Sequence, residues 1–269
     1  MFRTRLISGI VLVAAALVAI TAGGWLLWLV LLGISLIGLF ELYRACGVHD
    51  TITSPMAAAG YVCAILYYAV LLSGREKYLL PVITTALIAM MSIYVFTWPR
   101  YRSEQTMTSL FGLLYVPVML SFIYRTRIMP EGRYSVWLIF LCSWGCDTCA
   151  YCVGMLIGKH KMSPLLSPKK SIEGAVGGVI GAAGLGALYA WAAGRWLGAV
   201  SMPVAEYAII CSIGALISMV GDLGASAIKR NHDIKDYGTL IPGHGGILDR
   251  FDSVIFTAPM IWLLAQILL

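Results

Sequence analysis

Apolar residues run along this chain in long unbroken windows, near 5–22, 24–44, 52–72, 78–98, 106–124, 135–158, 172–194, 203–224 and 253–269, with polar residues gathered in the gaps. A helix needs about 20 residues to cross about 30 Å of hydrocarbon, and each window is close to that length. The pattern predicts an all-α, polytopic integral membrane bundle of about nine transmembrane helices. It divides into an N-terminal transmembrane scaffold (1–133) and a second transmembrane region (134–269), where the candidate chemistry falls, within one integral membrane domain.

Composition agrees. Of the 269 residues, 60% are hydrophobic and 12% charged, with a mean hydropathy of +0.86, whereas soluble domains carry about 25% charged residues. Arg3 and Arg5 precede an apolar run that ends in the small residues Thr21-Ala22-Gly23, as in a secretory leader. A second apolar span begins at once, so the pair reads better as a retained transmembrane hairpin.

Nine spans place the termini on opposite sides of the membrane, and the Lys/Arg distribution orients them. With the N-terminus inside, 13 cations fall in cytoplasmic segments and 6 outside. Arg125, Arg127 and Arg133 are the outer group that opposes this orientation. In either orientation, segments 159–171 and 225–252 share a side, because two spans separate them. The net charge of +6 suits anionic head groups and anionic substrates rather than nucleic acid.

Cys146-x-x-Cys149-x-x-Cys152 is spaced like an iron–sulfur run, yet it falls inside an apolar helix, where thiols serve as small packing groups. Seven cysteines is an odd count in a chain that is no small secreted domain, which argues against a disulfide framework. The first five spans hold few ionisable groups. Glu41 is the main exception, a residue that caps or pairs locally without an assigned role. From Trp144 onward, glycine, aspartate, serine and lysine recur. Gly174, Gly177, Gly178, Gly181, Gly184 and Gly186 give small-residue spacings that allow close helix packing; a homodimer seam is the alternative use.

Asp147 lies about 16 Å along its helix from Gly158, at a rise of about 1.5 Å per residue. A carboxylate at that depth requires a polar cavity, a cation or a partner. With Tyr151, Gly154 and Gly158 it forms one stripe, which predicts a groove leading in from the cytoplasm. Gly154 to Lys159 is superficially similar to a P-loop, but the glycine spacing is one residue short and His160 stands where Ser or Thr is required. Lys170 and Ser171 are expected at a simple helix start, where free N–H groups and the dipole attract phosphate.

If the eighth span continues into the cytoplasm, Asp222, Ser226 and Lys229 share a face at i, i+4 and i+7. Arg230 and Lys235 follow. Gly238, Pro242, Gly243, Gly245 and Gly246 break any helix and allow close backbone approach to a ligand. Asp249 and Asp252, at i and i+3, open the last span around Arg250. Oxygen ligands from Asp222 and Asp249, completed by water and phosphate, suit Mg²⁺, with room for a second cation nearby.

Ser226-x-x-Lys229-Arg230-x4-Lys235-Asp236, seven positions, then His244-Gly-Gly246-x-x-Asp249-Arg250-x-Asp252 resembles the signature of the phosphatidate cytidylyltransferase (CDP-diacylglycerol synthase) family. Asp147-Thr148-x-Ala150-Tyr151 and Ser167-Pro168-Lys169-Lys170-Ser171-x-Glu173-Gly174 resemble further blocks of that family, with serine at a position commonly threonine. The likeness covers about 110 residues, from Trp144 to Ser253.

The resemblance implies condensation of CTP with phosphatidic acid, giving CDP-diacylglycerol and pyrophosphate. It implies a multi-pass enzyme of the inner (plasma) membrane, surrounded by membrane lipids, with its active site facing the cytoplasm. Asp222 and Asp249 would hold Mg²⁺ and act in catalysis with Lys229 and Arg250. Asp147, Ser167, Lys169, Lys170, Ser226, Arg230, Lys235, His244 and Asp252 would bind substrates. A phosphate monoester is largely dianionic at neutral pH, with a second pKa of about 6, so His244 fits positioning better than general base. A CTP-dependent lipid kinase is the nearer alternative and would release CDP. An ion-coupled transporter using Asp147 and Asp222 is the more distant one and leaves the basic glycine loop unexplained.

Overall fold

The computed structural model describes residues 2–49, 54–196, 203–243 and 245–269, with backbone alone for residues 2–8. His244 therefore lies outside the described residues, as do the side chains of Arg3 and Arg5.

The expected windows become helices. They are α1 (Phe2–Ala22), α2 (Gly24–Ala45), α3 (Pro55–Leu72), α4 (Leu79–Phe96), α5 (Ser103–Leu113), α6 (Met119–Ile128), α7 (Gly132–Phe140), α8 (Cys146–Ile157), α9 (Ile172–Trp196), α10 (Val204–Asn231) and α11 (Leu248–Leu268). Two π-helical turns, Leu114–Val118 and Leu141–Gly145, join α5 to α6 and α7 to α8. The joined pairs form the long helices Ser103–Ile128 and Gly132–Ile157. Among the described residues, eight helices are long and apolar enough to cross a membrane, and α1 contributes the shorter apolar stretch Gly9–Ala22. Large apolar side chains on their outer faces, such as Phe96 at 87% exposure and Leu156 at 80%, suit a hydrocarbon solvent. The protein is an all-α polytopic membrane bundle.

The chain falls into two compact units. One comprises residues 1–124 and 232–250, the other 125–231 and 251–269. In the first, Tyr43 fixes α2 against α3 and α5. Its hydroxyl donates to Ser109 O at 2.6 Å, and its ring occupies the space that side chains at Gly60 and Gly112 would need. Ser35 and Tyr68 share a buried hydroxyl hydrogen bond of 2.8 Å between α2 and α3. Such polar pairs hold helices together where lipid removes the hydrophobic driving force.

In the second unit the glycine stripe of α9 is used for packing. Side chains at Gly174, Gly177, Gly178 and Gly181 would collide with α8 at Ala150, Val153, Cys146 and Cys149, and one at Gly186 would strike Cys211 of α10. The cysteines act here as close-packed small groups: Cys142, Cys146 and Cys211 are buried.

The expected helix start holds at Ser171, directly before α9, and the structure adds a β-hairpin that Lys170 and Ser171 end, in which β1 (Lys161–Ser163) pairs antiparallel with β2 (Ser167–Ser171). The chain must reverse between α8 and α9, and the strand pairing satisfies backbone groups that a bare loop would leave open. The helix begins one residue later, at Ile172.

Candidate active site

Within the second unit, α8, the hairpin, α9 and α10 enclose a cavity of about 360 Å³. Asp147, Ala150, Tyr151, Gly154 and Met155 line it from α8, and Met162, Lys169, Lys170 and Ser171 from the hairpin. Gly174 and Ala175 of α9 and Met219 and Asp222 of α10 complete it. Ionic groups and apolar walls thus share one space, the chemistry expected of a site for an amphiphile with a charged head.

Local sequence explains the shape. The π-helical turn Leu141–Gly145 leads into α8, in whose first turn Asp147 stands. A π turn carries an extra residue and often marks a functional stretch. At the far end of α8, a side chain on Gly158 would run into Gly154 O and Ser171 Oγ, so only glycine lets the strand lie this close. Ser171 Oγ accepts from Gly174 N at 3.1 Å and so caps α9. Glu173 fastens the base of the hairpin. Its carboxylate accepts from Lys159 N at 3.1 Å and His160 N at 3.2 Å, and meets His160 Nδ1 at 2.5 Å.

Lys170 Nζ forms an ion pair with Asp222 Oδ2, with the two side chains 27% and 22% exposed. α10 continues to Asn231, as the conditional reading of its polar face required, so Ser226 and Lys229 follow Asp222 and are both buried. Asp252, one helix over, is within electrostatic reach of Asp222, Lys229 and Asp147. Gly221 makes that approach feasible, because a Cβ there would lie 2.9 Å from Asp252 O and from Phe256 Cβ. Asp147, Asp222 and Asp252 are thereby grouped with Lys170 and Lys229. Lys169 also lines the cavity, Ser167 pairs with Ser163 in the hairpin, and Arg230 is exposed at the end of α10.

The first unit holds the glycine-rich loop. Asp249 Oδ2 accepts from Tyr237 N at 2.8 Å and from Gly246 N at 2.9 Å. Lys235 is exposed, Asp249 buried and Arg250 partly buried. Glu41 was missed as a site residue: its oxygens accept from Ile247 N at 3.1 Å and Leu248 N at 2.8 Å. Arg44 Nη2 donates to Tyr237 O at 2.7 Å. Gly238 and Gly246 are small because the Glu41 carboxylate occupies the place of their missing side chains. Thus the close approach expected of these glycines is to a residue of α2. The available signal was a carboxylate in an apolar span, which needs partners wherever they lie in sequence.

Among the described residues no group of three or more His, Cys, Asp or Glu side chains is arranged to hold a metal ion. Mg²⁺ is commonly anchored by only one or two carboxylates, with phosphate and water oxygens completing its shell. The hard oxygens of Asp222, with Asp252 and Asp147 near, fit that chemistry.

The chain matches the profile of the cytidylyltransferase family from residue 3 to residue 268. It belongs to that family. A phosphatidate cytidylyltransferase of Synechocystis sp. is 31% identical, over 98% of this chain and 97% of its own length. One of Staphylococcus aureus is 30% identical over 96% and 97%. One of Staphylococcus saprophyticus is 35% identical over 65% of this chain and 66% of its own. Membership in the cytidylyltransferase family therefore extends over both units and is not confined to the motif-bearing second half.

Proposed function

We propose that the protein is a phosphatidate cytidylyltransferase, joining CTP and phosphatidic acid to give CDP-diacylglycerol and pyrophosphate. The observation that carries this reading is the amphiphilic cavity, where Asp147, Asp222, Lys169 and Lys170 share one space with Tyr151, Met155, Met162 and Met219. A lipid phosphate needs both kinds of wall.

The lipid phosphate is already an anionic nucleophile. An oxygen of it attacks the α-phosphorus of CTP, the bond from that phosphorus to the bridging oxygen breaks, and pyrophosphate leaves. Such chemistry requires positioning and charge neutralisation more than proton transfer. Lys169 and Lys170 receive phosphate oxygens at the cavity. Lys229, with Ser226 on the same helix face, offsets the carboxylates nearby, and Arg230, Lys235 and Arg250 contribute further cationic contacts. Asp147 and Asp252 keep these ammonium groups oriented when substrate is absent.

Mg²⁺, when bound, supplies charge neutralisation on the phosphates. Asp222 would hold it; the second expected ligand, Asp249, rests on the motif alone. Lys170 occupies Asp222 in this structure, so its ammonium would pass to a phosphate oxygen as the carboxylate changes partner. The bacterial relatives support an inner-membrane placement, and the excess of Lys and Arg in the segments read as cytoplasmic supports a cavity facing the cytoplasm.

The test is purified protein with labelled CTP, phosphatidate and Mg²⁺, following both lipid and released nucleotide. CDP-lipid and pyrophosphate are expected. Release of CDP with a phosphorylated lipid would replace the reading with a kinase. Asp249→Asn at native activity would remove that residue from the metal set.

A further inference from the structure

Glu41 stands near the end of α2, 3% exposed, in a helix that is otherwise almost wholly apolar. Inserting a carboxylate there is costly unless it is partnered. Its partners are the amide just before α11 and the first amide within it, Ile247 N and Leu248 N. The same loop is held twice more, by Asp249 Oδ2 at Tyr237 N and Gly246 N, and by Arg44 at Tyr237 O. Three side chains, two of them from α2, therefore fix five backbone groups between residues 237 and 248. The absent side chains of Gly238 and Gly246 make the space for Glu41.

We propose that Glu41 is a positioning residue for the glycine-rich loop. By holding the first turn of α11, it sets the direction in which Asp249 and Arg250 leave that helix, and it keeps the backbone at Ile247 and Leu248 in a single arrangement. It has a second effect. The N-terminal amides of a helix attract anions, and here Glu41 satisfies two of them, so substrate phosphate is left to the side-chain cations. What the loop binds rests on the function proposed above; that Glu41 holds the loop does not.

The experiment uses the full chain in detergent, as Glu41→Ala, which withdraws both acceptors, and as Glu41→Gln, which keeps one carbonyl. Hydrogen exchange of peptides spanning 237–249 is compared with that of α9 and α10. Steady-state rates are normalised to folded protein. Withdrawing acceptors from buried amides should speed loop exchange about tenfold in Glu41→Ala, with Glu41→Gln intermediate and α9 and α10 unchanged. KM for one of the two substrates should rise about tenfold, with kcat per folded molecule nearly constant, because binding geometry is loosened rather than the fold lost. Unchanged loop exchange in both variants would overturn the proposal. So would activity that falls only with the folded fraction at constant KM. If Glu41→Ala does not fold, Glu41→Gln decides by the same criteria. If the native chain makes no CDP-lipid, the functional reading fails while the exchange comparison still tests Glu41.

Discussion

The Lys170–Asp222 pair lets the structural role of one carboxylate be separated from the catalytic role proposed for it. Asp222→Asn keeps the shape of the side chain and removes the charge that faces Lys170. Breaking a fully buried pair costs about 3–5 kcal/mol, and an exposed pair contributes about 0–1 kcal/mol. With side chains 27% and 22% exposed, the cost lies between these limits, at about 2 kcal/mol. A chain of this size loses about 2–4 °C of thermal midpoint per kcal/mol, which predicts a fall of about 4–8 °C. Adding Lys170→Met removes the stranded ammonium and places a flexible apolar chain in a cavity already lined by Met155, Met162 and Met219. The double variant should therefore recover most of the midpoint. Its activity should not recover, because withdrawing a positioned charge from phosphate chemistry costs about 10²–10³-fold. Thermal midpoints in detergent and CDP-lipid formation from labelled CTP read the two effects separately. Recovery of activity together with stability would reduce Asp222 to a neutraliser of Lys170. An unchanged midpoint in Asp222→Asn would refute the energetic argument.

Three further outcomes follow from the packing. Gly246→Ala drives a methyl group into the Glu41 carboxylate and should reproduce the faster loop exchange of Glu41→Ala without altering Glu41 itself. Ser171→Ala removes the hydroxyl that caps α9 through Gly174 N; it should cost about 1 kcal/mol, seen as a midpoint lower by a few degrees. Gly181→Val places side-chain atoms where Cys149 Sγ lies 2.6 Å from an ideal Cβ. Overpacking of this kind costs about 1–3 kcal/mol, and the loss should be smaller when Cys149→Gly is added, because Cys149 Cβ lies 2.5 Å from the same point.

The helices were legible because each span is an uninterrupted apolar window and its ends are marked by charge or glycine. The cavity was partly legible. Asp147 and Asp222 stood out as carboxylates in oily helices, and the 3.6-residue period put Ser226 and Lys229 on the face of Asp222. The hairpin was not. Its strands, Lys161–Ser163 and Ser167–Ser171, are short and polar and contain a proline, so no alternating apolar pattern betrayed them. Glu41 was visible as an anomaly but not as a loop anchor, because its acceptor sites are used by amides 206 and 207 residues away. Local pattern reports what a residue needs, and only the tertiary fold says where that need is met.

That separation bears on biogenesis. The second span reaches the bilayer long before the ribosome has made residues 247 and 248, so the Glu41 carboxyl must spend most of translation without the amides that will receive it. Arg44, one turn further along, can offset the charge meanwhile, and Tyr237 later claims that guanidinium. Making residues 247 and 248 is then also the step that relieves a carboxyl buried since the second span, which ties late translation to the ordering of the glycine-rich loop.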